Sequence, residues 1–315
     1  MVLVIIITVV AILLCMLTGT VTTYDSDSKI SIVATSFPQY DFARAVVGEN
    51  ADITMLLAPG EETHTYDPTP QDIIAIQECD IFIYGGGESD SWVTSMLDSI
   101  DTEDKEFIRF MDLVELYEEE VVEGMQTDSA SDKVFFTEYD EHVWTSPINS
   151  IEFVNQICDV MCELDSENSA TYTTNAFEYI TALYELDEAF ETIMDNATID
   201  SIMIGDRFPF LYLVNEYDIE YYAAFKGCSS DVEANPTTIA YLIDKANAEE
   251  IPVVFKVDLS TGLVAQTISE STGAEILTLY SCHTLSNDDF EAGVTYIDLM
   301  YRNADALSIA LGSSY

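Results

Sequence analysis

After residue 29 the chain alternates short apolar runs with longer amphipathic stretches. The runs KISIVATSF (29–37), DITMLLAPG (52–60) and CDIFIYGGG (79–87) are rich in β-branched and aromatic residues and predict buried strands. The stretch DFARAVVG between the first two runs predicts a helix that ends at Gly48. This order of strand, helix and strand is typical of βαβ units and indicates a parallel sheet.

The middle of the chain predicts one long amphipathic helix over about 166–196, because this stretch contains neither Gly nor Pro. Its apolar positions recur at spacings of three and four: Tyr172, Ala176, Tyr179, Leu183, Leu186, Phe190 and Ile193. Strand patterns resume beyond it in IDSIMIGD, IEYYAAF, IPVVFKVDL and AEILTLYSC. The predicted fold class is therefore α/β, with two lobes of mostly parallel sheet joined by this helix. We expect a signal or anchor segment at 1–28, the N-terminal lobe at 29–165, the linking helix at 166–198 and the C-terminal lobe at 199–315.

The N-terminus carries an apolar run, from Val2 to Leu17, followed by small and polar residues. This pattern is typical of a secretory signal and predicts export to the periplasm or the cell surface. No Lys or Arg precedes the run, and LTGT at 17–20 resembles a lipoprotein processing box without its cysteine. A removed signal and a retained N-terminal anchor both stay open.

The composition adds an extreme charge: 58 acidic and 10 basic residues give a formal net charge of −48. Such a surface argues against nucleic acid and anionic membranes as partners and favours cations. The segment EEEVVEGMQTDSASDK (118–133) is acidic and poor in large apolar residues, so we interpret it as a solvated loop. Most of the carboxylates are expected to serve solubility or salt adaptation and not a site.

The chain has three histidines, and all of them fall on predicted loops. His64 follows the second predicted strand, His142 follows the acidic segment, and His283 follows the strand AEILTLY directly. Ligands of open α/β sheets bind beyond the carboxyl ends of the strands, and neutral imidazole is the commonest protein ligand for metals. A shared metal site is therefore the hypothesis that best explains the three positions.

Several ordered motifs resemble the zinc and manganese solute-binding proteins of ABC importers, the cluster A-I family. They are VATSFPQYDFARAVVGENADITMLLAPGEETHTYDPTPQD, IYGGGESDSWV, DEHVWTSPIN and FEAGVTYIDLM. The resemblance implies two α/β lobes joined by a rigid helix, a metal ion in the cleft between them, and delivery of that ion to a membrane permease by a monomeric carrier. It places His64 and His142 at the first and second ligand positions.

The chain departs from the family at the third ligand. GDRFPF stands where many members carry His-Asp-Ala-Phe, so Gly205 occupies the position of the usual histidine. The pairing of DRFPF with a later SCH suggests that His283 supplies the missing imidazole, with Asp206 as the nearest candidate for a fourth, oxygen ligand. On this basis Gly205→His is expected to restore part of the affinity in a chain without His283.

Imidazole ligands with one carboxylate favour Zn²⁺, and Mn²⁺, which prefers more oxygen, is the alternative. Cys228 and Cys282 both fall on predicted loops of the C-terminal lobe, where a disulfide would hold the loop that carries His283. The sequence has no G-x-S-x-G elbow, phosphate-binding glycine loop or H-E-x-x-H motif, so we predict a carrier and not an enzyme. A zinc-dependent hydrolase and an adhesin-like protein with a structural metal are the alternatives from other classes.

Overall fold

The computed structural model describes residues 29–61, 63–119, 121–125, 138–227 and 235–313. The predicted signal or anchor segment and most of the acidic segment lie outside these ranges. Within the described ranges, no helix combines the length and the apolar character that crossing a membrane requires.

The first lobe is built on a four-stranded parallel sheet in the order β2-β1-β3-β4. Its strands are β1 (Ile30–Ala34), β2 (Ala51–Met55), β3 (Ile81–Tyr84) and β4 (Glu106–Arg109). Ile32 of β1 pairs with Ile53 on one side and with Ile81 on the other. The central strands β1 and β3 are almost wholly buried, as expected for a parallel sheet with both faces covered, and this explains their continuous apolar runs.

Helices follow these strands and begin with clear capping signals. The helices of the first lobe are α1 (Phe37–Val47), α2 (Pro70–Glu78), α3 (Ser91–Leu97) and α4 (Pro147–Leu164). At α2, Thr69 and Asp72 form a reciprocal capping box, and at α4 the Ser146 side chain accepts from the backbone N–H of Asn149. One-turn 3₁₀ helices at Thr63–Thr65 and Val143–Thr145 carry or follow two of the histidines.

The second lobe repeats the arrangement, with a parallel sheet in the order β6-β5-β7-β8. Its strands are β5 (Ser201–Ile204), β6 (Glu220–Ala223), β7 (Val253–Val257) and β8 (Glu275–Leu279). The remaining helices are α5 (Ser169–Asp195), α6 (Leu211–Glu216), α7 (Pro236–Ala248), α8 (Leu263–Thr272), α9 (Asn287–Glu291) and α10 (Tyr296–Ala310). The two parallel α/β sheets confirm the predicted fold class.

The long helix α5 has 27 residues and is therefore about 40 Å long. Six of the seven apolar positions that predicted it are buried, and the seventh, Tyr179, is partly buried. The helix packs against α4 and α1 of the first lobe and against α10 of the second. It thus contacts helices of both lobes. The predicted domain boundaries stay a prediction.

One hydrophobic core runs through both lobes at this contact. Phe42 of α1 lies at its centre, with its ring 6.0 Å from Phe110, 5.9 Å from Tyr179 of α5 and 4.9 Å from Tyr296 of α10. Aromatic pairs at such distances pack favourably beyond the area that they bury. Because these rings come from helices of both lobes, the lobes are held against each other by packing.

Candidate metal centre

The three histidines meet in a cleft of about 200 Å³ between the lobes. The ring centres of His64 and His142 are 6.0 Å apart, those of His64 and His283 are 5.9 Å apart, and those of His142 and His283 are 5.4 Å apart. His142 and His283 are buried, and the side chain of His64 is 12% exposed. Residues far apart in the sequence thus form a nearly equilateral triangle of imidazoles.

The size of this triangle fits a single zinc ion. With Zn–N bonds of about 2.0–2.1 Å and tetrahedral angles, the centres of two ligating imidazoles lie about 5 Å apart. The observed separations of 5.4–6.0 Å are close to this value but slightly larger. Small rotations of the side chains would bring all three rings onto one ion.

His142 is held in place by the carboxylate of Asp140. The Asp140 Oδ1 atom lies 3.2 Å from the ring Nδ1 of His142 and accepts from its backbone N–H at 2.8 Å. Burial alone would lower the pKa of His142, but Asp140, with help from Glu141, outweighs burial, and the pKa is raised. A carboxylate on one ring nitrogen leaves the other nitrogen for a metal and makes it more basic.

His283 lies in a drier environment. Its ring centre is 4.7 Å from that of Trp144, whose indole N–H donates to the carbonyl of Ser281 at 2.9 Å. The backbone carbonyl of His283 accepts from the N–H of Phe37, at the start of α1, at 3.3 Å. Burial, then the neighbouring histidines, hold the pKa of His283 well below its usual value, so that its imidazole is neutral and fit for ligation.

His64 is placed by the loop that follows β3. Its Nδ1 atom lies 3.1 Å from the hydroxyl oxygen of Ser89 and 3.8 Å from a carboxylate oxygen of Glu141. Glu141 is 1% exposed and accepts from both the backbone N–H and the hydroxyl of Ser89. Burial raises the pKa of Glu141, while His142 and the hydrogen bonds from Ser89 favour its ionised form.

Four side chains of this site offer ligand atoms within 4.8 Å of one another, namely His64, Glu141, His142 and His283. Sequence reasoning found the three histidines and missed Glu141, which is one of 58 acidic residues. The available signal was its position directly before His142, in a loop that already carried a candidate ligand.

The structure does not bring Asp206 into this group. Its carboxylate accepts from the hydroxyl of Ser260 and, at 3.3 Å, from the backbone N–H of Val257, so it ties the end of β5 to the loop after β7. Asp206 follows its strand as predicted, but these hydrogen bonds of its side chain lie within the C-terminal lobe.

The structure argues on steric grounds against the expectation that Gly205→His restores part of the affinity, which stays untested. A Cβ atom at Gly205 would lie 2.5 Å from the Cα and 2.6 Å from the backbone nitrogen of Ala265, on α8. These are backbone atoms, so a side chain at this position requires the helix to move.

The predicted disulfide between Cys228 and Cys282 stays a prediction, because Cys228 lies outside the described residues. Cys282 is buried, and its thiol lies 3.6 Å from the carbonyl oxygen of Tyr280.

The chain is similar to known proteins over most of its length. The family described as zinc-uptake complex component A, periplasmic (ZnuA) matches residues 32–310. The high-affinity zinc uptake system protein ZnuA of Bacillus subtilis is 29% identical over 286 residues, which cover 90% of this chain and 88% of that protein. The zinc-binding lipoprotein AdcA of Streptococcus pneumoniae is 29% identical over 283 residues, and here 90% of this chain covers 56% of the relative. The chain thus spans about half the length of the AdcA proteins.

Solved structures give the same result. The Zn(II)-bound ZnuA-like domain of Streptococcus pneumoniae AdcA superposes with a TM-score of 0.74 at 27% identity, covering 90% of this chain and 99% of that domain. The similarity therefore extends over both sheets, the long helix and the cleft. Because the family match covers nearly all of the described chain, this protein belongs to the ZnuA family of periplasmic zinc-uptake components.

Proposed function

We propose that this protein captures Zn²⁺ outside the cytoplasm and delivers it to the permease of an ABC importer. The observation that carries the proposal is the triangle of three imidazoles in the cleft between the lobes. Its relatives are named as zinc-binding and zinc-uptake proteins and not as enzymes. The carrier is proposed to act as a monomer at the cell surface or in the periplasm, either free or held by its N-terminal segment.

The proposed zinc ligands are the Nε2 atoms of His64, His142 and His283. Three imidazole nitrogens suit Zn²⁺ better than Mn²⁺, which prefers more oxygen ligands, so manganese is the second candidate cargo. The fourth position of a tetrahedral site takes an oxygen. Asp206 is the predicted fourth ligand; its Oδ2 atom accepts from Ser260 and Val257 and its Oδ1 atom from the backbone N–H of Arg207, so a bond to zinc would compete with these hydrogen bonds.

Elemental analysis of the purified protein, followed by competitive titration with Zn²⁺ and Mn²⁺, tests this proposal. We expect one zinc per chain and a preference for zinc over manganese. His283→Ala should weaken zinc binding at least tenfold, to the same degree as His64→Ala, because each removes one of three nitrogen ligands. Equal affinity of His283→Ala and the parent would exclude His283 as a ligand.

Asp206→Asn is the matched variant for the fourth position. If Asp206 does not bind zinc, this variant keeps the affinity of the parent within about threefold, since asparagine can still accept from Ser260. A tenfold loss would instead support Asp206 as a ligand. A zinc-loaded sample tested against ester, peptide and phosphoester substrates separates a carrier, which releases no product, from the alternative of a zinc-dependent hydrolase.

A further inference from the structure

Ser89 lies between His64 and Glu141, and its hydroxyl group has only one proton to donate. Its oxygen is 3.1 Å from the Nδ1 atom of His64 and makes a close hydrogen bond to one carboxylate oxygen of Glu141. Its backbone N–H donates to the other carboxylate oxygen of Glu141 at 2.8 Å. Both oxygens of this carboxylate are thus engaged by the same serine.

The direction of each hydrogen bond follows from the donor inventory. When Glu141 is ionised its carboxylate only accepts, and the hydroxyl of Ser89 then donates its proton to Glu141. The serine oxygen then has only lone pairs left for His64, and the ring must donate its Nδ1–H to it. A neutral imidazole that carries its proton on Nδ1 presents the lone pair of Nε2, which is the nitrogen that can ligate a metal.

The loop after β3 is shaped around this carboxylate. At Gly87, where φ is +81°, an added Cβ would lie 2.4 Å from the Cβ and 2.5 Å from the Oε2 atom of Glu141. Glycine is the residue that adopts this conformation without strain and also leaves room for the glutamate. The neighbouring Asp140 serves His142 in the same manner, so two consecutive carboxylates each support a different histidine.

We propose that Ser89 and Glu141 are positioning residues that fix the tautomer and the orientation of His64, and that Glu141 supports the zinc site without ligating the ion. This inference rests on the proposed function, because it assigns His64 as a zinc ligand. It distinguishes Glu141 from the other three side chains of the group that could share an ion. The atom of His64 that lies 3.8 Å from Glu141 is Nδ1, on the side of the ring that faces Ser89.

Glu141→Gln is the sharpest perturbation, because it preserves the shape of the side chain. With the amide oxygen kept on the backbone N–H of Ser89, the NH₂ group faces the serine oxygen and donates to it. The hydroxyl of Ser89 must then donate to Nδ1 of His64, and the ring proton moves to Nε2, where it blocks ligation. Ser89→Ala removes the hydroxyl that links Glu141 to His64, so that neither tautomer of His64 is favoured by a hydrogen bond from this serine.

The first experiment measures zinc affinity for the parent, Ser89→Ala, Glu141→Gln and the double variant. We expect each single variant to bind zinc about 10–100-fold more weakly. The double variant should be no weaker than the weaker single one, because both residues act through one connection. Two exposed neighbours in the same loop region, in the variants Glu88→Gln and Ser91→Ala, are the matched controls and should bind like the parent.

A ligating Glu141 predicts a different pattern: Glu141→Gln would lose affinity strongly while Ser89→Ala kept it, and this result would overturn the inference. Parent-like affinity in both single variants would also overturn it. If the parent protein itself does not bind zinc, that result contradicts the proposed function instead.

The second experiment works without metal. Long-range ¹H–¹⁵N correlation spectra at a pH of about 8, well above the usual pKa of imidazole, report the protonation and the tautomer of each histidine. With three histidines in the chain, three single His→Ala variants assign all the signals. The inference expects His64 to carry its proton on Nδ1 in the parent and to change in Glu141→Gln. An Nε2 proton in the metal-free parent would refute it, whatever the protein binds.

Discussion

Replacing Tyr179 with phenylalanine tests how the two lobes are tied together away from the metal site. Asp41 of α1 is 1% exposed and accepts from the hydroxyl of Tyr179, on α5, at 2.8 Å. It also accepts from the backbone N–H of Tyr296, the first residue of α10, at 3.0 Å, and it pairs with Arg44. Helices of both lobes therefore meet at one buried carboxylate.

The magnitude follows from the partners that Asp41 loses and keeps. Burial raises the pKa of Asp41, and each hydrogen bond that it accepts opposes this effect by stabilising the charge. A hydrogen bond to a charged group contributes about 1.5–3 kcal/mol. Tyr179→Phe removes one such bond and keeps the ring that packs 5.9 Å from Phe42. We expect the free energy of unfolding to fall by about 2 kcal/mol.

Urea unfolding of the metal-free protein measures this loss. Tyr184→Phe is the matched control, because Tyr184 lies on the same helix and is 56% exposed. Its free energy of unfolding should stay within about 0.5 kcal/mol of the parent. If Tyr179→Phe is no less stable than Tyr184→Phe, the hydroxyl of Tyr179 does not stabilise the junction and the reasoning is wrong.

Three further predictions concern pH and packing. Zinc affinity should fall as the pH drops below about 6.5, with protons released on binding, and an affinity that stays flat down to pH 5 would contradict imidazole ligands. Burial raises the pKa of Asp258 to about 6, because the folded protein favours the protonated carboxyl group. The resulting contribution to the free energy of unfolding is fully present below pH 4 and is lost as the pH rises through 6. Asp258→Asn should therefore gain stability relative to the parent between pH 4 and pH 7 in urea unfolding, and a difference that does not change with pH would refute this. Gly124→Ala should lower the free energy of unfolding by about 1–3 kcal/mol more than Gly293→Ala does. Both glycines have positive φ, but only at Gly124 would the new Cβ lie close to a ring, 2.1 Å from that of Tyr241. Equal losses in the two variants would mean that the Tyr241 ring moves aside without cost.

Most of the fold could be predicted because the central strands of both sheets are buried on both faces and therefore appear as uninterrupted apolar runs. The predicted runs contain β1, β3 and all four strands of the second sheet, and the run DITMLLAPG contains all of β2 except its first residue, Ala51. The strand β4 was missed because its sequence, EFIR, has only two apolar residues, which lie between two charged ones. It lies at the edge of its sheet, where one side is less covered and the hydrophobic signal is weaker.

The candidate site could be predicted as far as residue type carries information. Three histidines among 315 residues are rare enough to be noticed, and the structure brings all of them together. Carboxylates are too numerous here for any one of them to be singled out. The difference between Glu141 and Asp206 depends on where each side chain points: Glu141 turns toward Ser89 in the cleft, and Asp206 turns toward Ser260.

Gly205 has a structural role in the packing of the second lobe. The end of β5 approaches the backbone of α8 so closely that even a Cβ atom would collide with Ala265. A side chain at this position therefore requires a wider gap between β5 and α8 than this chain has. The third imidazole of the cleft is that of His283, four residues beyond the end of β8, where Trp144 packs against its ring. Gly205 thus permits the close packing of β5 on α8, while His283 completes the triangle of imidazoles in the cleft.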